Sequence, residues 1–157
     1  MSQALSSHRF ESHGEVETAA FGQQLAQLLS PGDVIALQGP LGAGKTRIVQ
    51  AIAAALGCSR SFVVSPTFTL IHEYDGVIPV YHVDAYRLKS SDEFLDMGGG
   101  ELLYGEGVCL IEWADRIADL IPPDHLRLQI EVTGPQTRGI HVQAHGPHSI
   151  GIIERLR

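Results

Sequence analysis

The chain has 157 residues, 44% of them apolar and 18% charged, and 18 acidic against 11 basic side chains give it a formal net charge of −7. This composition supplies enough apolar residues for a core and gives little reason to expect disorder, and the length fits one domain over residues 1–157. The longest apolar runs, such as Ala51 to Leu56, are far shorter than the roughly 20 residues that span a bilayer. The acidic balance argues against strong direct binding of nucleic acid, which depends on Lys and Arg contacts to phosphates.

The first residues and the cysteines predict the cellular compartment. Residues 1–15 are polar and charged and lack the apolar core of a secretory signal. Cys58 and Cys109 could form at most one disulfide, and Cys109 lies inside an apolar run, so we expect two reduced thiols. These features predict a cytoplasmic protein.

The first third of the chain predicts a helix, a strand and a second helix. Apolar residues recur at near-helical spacing between Glu15 and Leu29, and the segment 30–33, with the sequence S-P-G-D, ends that helix. The apolar run Val34 to Leu37 predicts a strand. A second helix extends to Leu56 and is ended by Gly57.

The middle of the chain predicts strands without intervening helices. A strand is predicted over Ser61 to Val64, just before the segment 65–67, whose proline disfavours continuation. The runs Leu70 to Tyr74 and Val77 to Val83 flank Asp75-Gly76, a two-residue turn sequence. We therefore expect an antiparallel hairpin here.

Beyond the hairpin, short helices surround one buried strand. Serine caps predict a helix over Ser90 to Asp96, and a further short helical piece is expected around Glu101 to Tyr104. Val108 to Ile111 is uninterruptedly apolar, as in a central parallel strand that is covered on both faces. A helix is predicted over Trp113 to Leu120, before Pro122-Pro123.

The C-terminal part alternates apolar and polar residues, which predicts terminal strands. The first strand covers Leu126 to Val132, Gly134-Pro135 forms a turn, and the alternation resumes at Ile140 and Val142. No internal repeat or low-complexity tract interrupts the chain.

Residues 39–46, G-P-L-G-A-G-K-T, match the phosphate-binding pattern G-x-x-x-x-G-K-[ST]. The motif follows a predicted strand and opens a predicted helix, which is the context that this pattern requires. Its backbone amides can surround phosphate oxygens, Lys45 can reach the β- and γ-phosphates, and the Thr46 hydroxyl can bind Mg²⁺. The predicted phosphate-binding residues are Gly39, Leu41, Gly42, Ala43, Gly44, Lys45 and Thr46.

A phosphate site of this kind needs a further acidic residue that helps to hold Mg²⁺, at the end of a neighbouring strand. Asp84 follows the run 80–83 and Glu112 follows the run 108–111. Both strands should end at the carboxyl edge of the sheet, where ligands bind in open α/β folds. Either residue could be the metal-linked acid.

The predicted fold class is therefore α/β. We expect a mostly parallel sheet of the P-loop NTPase type, flanked by helices, with an antiparallel hairpin and terminal strands.

Four motifs occur in a fixed order along the chain: G-P-L-G-A-G-K-T at 39–46, S-P-T-F-T-L at 65–70, V-Y-H-V-D-A-Y-R-L at 80–88 and L-I-E-W at 110–113. In this order and spacing they resemble the bacterial TsaE (YjeE) family of ATPases. The resemblance implies a slow, Mg²⁺-dependent ATPase that is required for N6-threonylcarbamoyladenosine formation at tRNA position 37. It also implies two partner proteins, TsaB and TsaD, with an ATP cycle that permits repeated rounds by TsaD.

The resemblance also implies roles for individual residues. Glu112 is similar to the family's second Mg²⁺-linked acid, and Asp84 to an essential acid next to the γ-phosphate, where it positions water or the metal. Thr67 lies in a segment that resembles a nucleotide-responsive switch, and Trp113 resembles a tryptophan near the site. Two further positions, Glu15 and Arg138, match residues that approach the nucleotide from the two chain ends.

Three other residues need separate comment. Arg47 stands where the family often has a second threonine, and we expect it to be a helix-surface residue. His82 could be a metal ligand, but no second His or Cys stands at ligand spacing, which favours packing or a hydrogen bond. Arg87 could contact a partner or phosphate, or pair with a local carboxylate.

Three alternative functions differ in testable ways. A GTPase commonly selects guanine with N-K-x-D, which a chain without asparagine cannot supply. A small-molecule kinase would need a cationic lid over a second substrate. A nucleotide-dependent interaction module would need ATP binding and not hydrolysis, and Glu112→Ala discriminates that alternative from an ATPase.

Overall fold

The computed structural model describes residues 6–40, 42–58 and 71–156. Leu41, Thr67 and the strand predicted over Ser61 to Val64 lie outside the described residues, so what was predicted for them stays a prediction.

Within the described ranges, strands and helices alternate around the phosphate-binding motif. The strands are β1 (Ser6–Ser12), β2 (Val34–Gln38), β3 (Ile71–Tyr74), β4 (Val80–Asp84), β5 (Val108–Glu112), β6 (His125–Val132) and β7 (Arg138–His145). The helices are α1 (Glu15–Ala26), α2 (Lys45–Ala55), α3 (Ser91–Asp96) and α4 (Pro147–Leu156), with 3₁₀ segments at Gly99–Glu101 and Ala114–Leu120. No helix in these ranges is long and apolar enough to span a membrane.

The described strands form one mixed sheet in the order β1-β7-β6-β2-β5-β4-β3. The four central strands β6, β2, β5 and β4 run parallel, whereas β3 pairs antiparallel with β4, and β7 with both β6 and β1. The predicted α/β class, with its hairpin and terminal strands, is confirmed. The central strand predicted over Val108 to Ile111 is also confirmed, because every residue of β5 is buried.

Each face of the sheet carries its own apolar core. One core joins the sheet to α1, α2 and α4 and contains Leu110, and the other joins it to α3 and contains Cys109 and Ile111. Because side chains alternate along a strand, the residue after Ile111 returns to the face of α2. Glu112 is therefore directed towards the helix that begins at the phosphate-binding motif.

Helix α1 packs closely against α2 and thereby fixes that helix. A Cβ atom at Gly22 would stand 2.8 Å from the Cβ of Ala51, so only glycine permits this approach. The serine cap is confirmed as well, since the Ser90 hydroxyl accepts a hydrogen bond from the amide of Glu93 at the start of α3. Both cysteines are free, and burial raises the pKa of the Cys109 thiol to about 12.

Two local predictions were wrong. The hairpin turn spans the five residues 75–79 and not Asp75-Gly76 alone. The loop is held by the end of α2, where Val77 donates its amide to the carbonyl of Leu56. The segment after Trp113 is a 3₁₀ helix that begins at Ala114 and is interrupted by non-helical dihedral angles at Ile117.

Other boundaries shift, and two elements were not predicted at all. Helix α1 ends at Ala26, and the helical piece expected at Glu101 to Tyr104 is the 3₁₀ turn Gly99–Glu101. Strand β1 and helix α4 had no prediction. β1 is an edge strand with mostly polar side chains, and its position depends on pairing with β7.

Candidate functional site

The phosphate-binding motif forms the turn between β2 and α2, at the carboxyl edge of the sheet. Gly44 has φ +109°, a left-handed conformation that glycine adopts without strain, and α2 begins at the next residue. A Cβ at Gly39 would lie 2.7 Å from the carbonyl oxygen of Ile130, so a side chain there would push the turn off β6. The turn thus presents the free amides of a helix N-terminus, which suit an anion.

Lys45 is held inside this turn, although its side chain is charged. The residue is only 6% exposed, its Nζ donates a hydrogen bond to the carbonyl of Gly39, and it lies 4.5 Å from the centroid of the Trp113 ring. An anion at the turn would meet an ammonium group that is already in position. Thr46, next along the helix, is exposed.

Trp113 adopts an unusual backbone conformation directly after β5. Its φ of 59° and ψ of 41° are left-handed, and it is the only non-glycine residue with positive φ in the described part of the chain. Such a conformation is strained for a bulky residue and tends to occur at functional sites. It brings the indole between Lys45 and Tyr86, whose ring centroid is 5.0 Å away.

The two predicted acids lie side by side where the parallel strands end. Asp84 and Glu112 are register partners on β4 and β5, and alternation directs both towards α2. Glu112 is 8% exposed, and its Oε2 is 2.6 Å from Nε2 of His82. Asp84 is half-buried, and its Oδ1 accepts a hydrogen bond from the amide of Tyr86 at 3.0 Å. The hydrogen bond expected for His82 is confirmed.

The oxygen donors at this edge fit a magnesium ion. In the described ranges, no three His, Cys, Asp or Glu side chains converge on a metal site. Mg²⁺ at phosphate sites needs only one or two carboxylates besides phosphates and water. A hydroxyl at Thr46 and carboxylates at Asp84 and Glu112 are hard oxygen donors of that kind.

A cleft of about 640 Å³ opens beside the phosphate-binding turn. Its walls come from the start of α1, the turn itself and the β6–β7 connection. The lining residues are His13, Gly14, Glu15, Val16, Glu17, Thr18, Gly42, Ala43, Gly44, Arg47, Pro135, Gln136 and Arg138. The cleft therefore brings Glu15 and Arg138, from opposite ends of the chain, to the same side of the turn.

Hydrogen bonds from Arg138 connect the phosphate-binding turn to the β6–β7 connection. Its guanidinium donates to the carbonyls of Ala43 at 3.1 Å and Gly42 at 3.3 Å, and also to those of Gly134 and Thr137. Direct contact between Arg138 and a nucleotide stays a prediction. Its observed hydrogen bonds hold the backbone of the turn.

The chain matches the family model described as "Threonylcarbamoyl adenosine biosynthesis protein TsaE" over residues 12–140. The chain belongs to the TsaE family. The matched range includes each predicted site residue, from Glu15 to Arg138.

Relatives and a solved structure agree with this assignment. A "tRNA threonylcarbamoyladenosine biosynthesis protein TsaE" of Bacillus subtilis (strain 168) is 46% identical, covering 89% of this chain and 87% of the relative. The protein of that name from Treponema pallidum (strain Nichols) is 41% identical, covering 85% of this chain and 98% of the relative. The crystal structure of Bacillus subtilis YdiB superposes with a TM-score of 0.81 at 35% identity, covering 99% of this chain and 97% of that one.

Several side chains lie at this TsaE site although the sequence predicted no such place for them. Arg47, expected only as a helix-surface residue, lines the cleft and forms an ion pair with Glu15 at 2.9 Å. His13 pairs with Glu17 at 2.9 Å, and hydrogen bonding to that carboxylate raises the pKa of His13. Only the four-residue spacing of His13 and Glu17 was visible in the sequence, because the other neighbours meet through tertiary packing. Arg87 is exposed, and its predicted contacts stay a prediction.

Proposed function

We propose that this TsaE-family protein is a slow P-loop ATPase required for N6-threonylcarbamoyladenosine formation at position 37 of tRNA. It would act in the cytoplasm with TsaB and TsaD, and its ATP cycle would permit repeated turnover by that pair. Family membership supports the pathway, and the geometry of the site supports the chemistry.

One observation carries the proposal. A buried lysine, a helix N-terminus and two strand-end carboxylates occupy the same edge of the sheet. Lys45 is held by Gly39 and Trp113, and Asp84 and Glu112 are register partners on the next two strands beyond β2. Phosphoryl transfer depends mainly on positioning and charge stabilisation, which are what such groups supply.

The residues of the site have separate roles in binding the phosphates and aligning water. Lys45 neutralises charge on the β- and γ-phosphates, and the turn amides bind phosphate oxygens. A carboxylate of Asp84 or Glu112 accepts a hydrogen bond from the attacking water and aligns it with the γ-phosphate. When bound through Thr46 and Glu112, Mg²⁺ would supply further neutralisation of the phosphate oxygens.

The contacts of the arginines at the cleft support the proposal of slow turnover by the isolated protein. The Arg138 guanidinium donates hydrogen bonds to backbone carbonyls, and Arg47 forms an ion pair with Glu15. Neither is directed at a γ-phosphate by these contacts, whereas an arginine supplied in cis or by a partner accelerates related enzymes by about 10³–10⁵-fold. We therefore expect the partners to raise the rate.

The test is a steady-state ATPase assay with and without TsaB and TsaD. We expect slow hydrolysis by the protein alone, stimulation by the partner pair, and no ATP binding or hydrolysis by Lys45→Ala. Arg155→Ala, an exposed change on α4, is the matched control. Fast turnover by the isolated protein that the partners leave unchanged would contradict the proposal, and so would full activity of Lys45→Ala.

A further inference from the structure

Glu112 has a buried partner that the function described above does not use. His82 is 8% exposed, and its Nε2 lies 2.6 Å from Oε2 of Glu112. An imidazole N–H donates and a carboxylate oxygen accepts, so we take the hydrogen bond to run from Nε2 to Oε2. The bond is charge-assisted and lies in a poorly hydrated place, where such bonds are strongest.

The sheet register fixes this contact. His82 is paired with Leu110 across β4 and β5, and Glu112 is two residues further along β5, on the same face. The two residues are thus diagonal neighbours on one face of the sheet, and their side chains meet at 2.6 Å. On its other side, His82 is paired with His72 of β3, and the two rings meet edge to face with centroids 5.7 Å apart. The imidazole is thus oriented by strands on both sides.

We infer that His82 is a positioning residue, which holds Oε2 of Glu112 so that the remaining carboxylate oxygen faces the phosphate site. This inference rests on the proposed function. A carboxylate with one oxygen fixed loses less rotational freedom when it binds a cation or a water. Histidine and carboxylate partners behind a metal-binding group commonly change metal affinity by about 10–100-fold.

Two variants separate positioning from packing. His82→Leu keeps an apolar group of similar bulk and removes the donor, whereas His82→Gln returns an N–H donor near the place of Nε2. His145→Gln is the matched control, because His145 is also 8% exposed but pairs with His125 at the start of β6, at the opposite edge of the sheet.

The readout is the Mg²⁺ concentration that half-saturates the fluorescence response of Trp113, the only tryptophan, with a non-hydrolysable ATP analogue present. We expect His82→Leu to raise this midpoint by about 10-fold or more. His82→Gln should stay within about threefold of wild type, and His145→Gln should match it. Affinity for the analogue in EDTA should change by less than about twofold in all three variants.

A double-mutant cycle with Glu112→Gln tests whether His82 acts through Glu112. We expect His82→Leu to add no further rise to the midpoint of Glu112→Gln, because the group that it positions is already altered. Should His82→Leu fail to fold, His82→Asn, whose amide matches Nδ1 and not Nε2, takes its place in the cycle.

The outcomes separate the inference from the function on which it rests. An unchanged midpoint in His82→Leu, an equal loss in His82→Gln, or additive effects in the cycle would overturn the positioning role and leave the ATPase proposal standing. A wild-type protein whose analogue binding does not respond to Mg²⁺ would overturn both.

Discussion

The Lys45 ammonium lies 4.5 Å from the centroid of the Trp113 ring, so the residue directly after the strand that ends in Glu112 packs against the lysine of the 39–46 motif. The left-handed backbone at Trp113 turns the indole back towards α2. Cation–π contacts of this kind contribute about 0.5–2 kcal/mol, and more when water is excluded. The residue that packs on Lys45 is therefore the immediate neighbour of Glu112 in the chain.

Trp113 and Lys45 should be energetically coupled. In a double-mutant cycle of Trp113→Leu and Lys45→Met, we expect a favourable coupling of about 0.5–2 kcal/mol in the free energy of unfolding. Trp113→Phe, which keeps an aromatic face, should retain part of it. Urea denaturation measures the four free energies, and a coupling indistinguishable from zero would show that the contact contributes nothing.

Arg138 should stabilise the phosphate-binding turn through its carbonyl contacts. Arg138→Ala leaves the carbonyls of Gly42 and Ala43 without this donor, and we expect a loss of about 1–3 kcal/mol in unfolding free energy. Arg138→Lys should not restore it, because an ammonium cannot reproduce the planar fork. Denaturant titration measures both, with Arg155→Ala as an exposed control. An unfolding free energy of Arg138→Lys equal to that of wild type would show that the planar guanidinium is not required.

The ion pair between Glu15 and Arg47 should contribute little to ATP affinity. The side chains are 81% and 42% exposed, and exposed pairs of this kind contribute about 0.2–1 kcal/mol and weaken with salt. Arg47→Thr should therefore leave ATP affinity within about threefold, as measured by calorimetric titration. A loss of more than tenfold would instead place Arg47 in direct contact with the nucleotide.

Asp124 should make stability depend on pH in the acid range. Burial raises the pKa of this carboxyl, but hydrogen bonds from the Ser149 hydroxyl and from the amides of His148 and Ser149 outweigh burial, and the net pKa is lowered. A lowered folded-state pKa contributes stability above the unfolded-state value, and this stability is lost as the pH falls through the folded-state value.

The comparison with Asp124→Asn isolates this contribution from other carboxylates. We expect wild type to be more stable than Asp124→Asn at pH 7, and the difference to shrink as the pH is lowered from 7 towards 3, because the folded-state pKa lies below the unfolded-state value. Thermal unfolding across that range is the measurement. A stability difference between wild type and Asp124→Asn that stays constant down to pH 3 would contradict the lowered pKa of Asp124.

Much of the fold could be predicted, because its local signals agree with one another. The motif at 39–46, the buried run before Glu112 and the alternation before Val132 each specify their own element. The order of these elements predicts a sheet whose carboxyl edge carries that motif. Asp84 and Glu112 could be placed at that edge for the same reason.

Features that depend on distant pairing could not be predicted. Strand β1 has mostly polar side chains and pairs with β7, and the hairpin turn bonds through the Val77 amide to Leu56, far away in the sequence. Two lining residues of the cleft, His13 and Gln136, lie 123 residues apart along the chain, so no local pattern could join them. The left-handed backbone of Trp113 runs against the preference of a bulky residue, so no local propensity predicts it.

The most direct test of the proposed function counts modified tRNAs in a reconstituted reaction with TsaB, TsaD, ATP and excess unmodified tRNA. Wild type should support many rounds, and Glu154→Ala, an exposed carboxylate change on α4, should match it. Glu112→Ala should retain ATP binding but stall the cycle after the first rounds. Full multiple-turnover modification with Glu112→Ala would contradict an ATPase and favour a module in which ATP binding alone carries the signal.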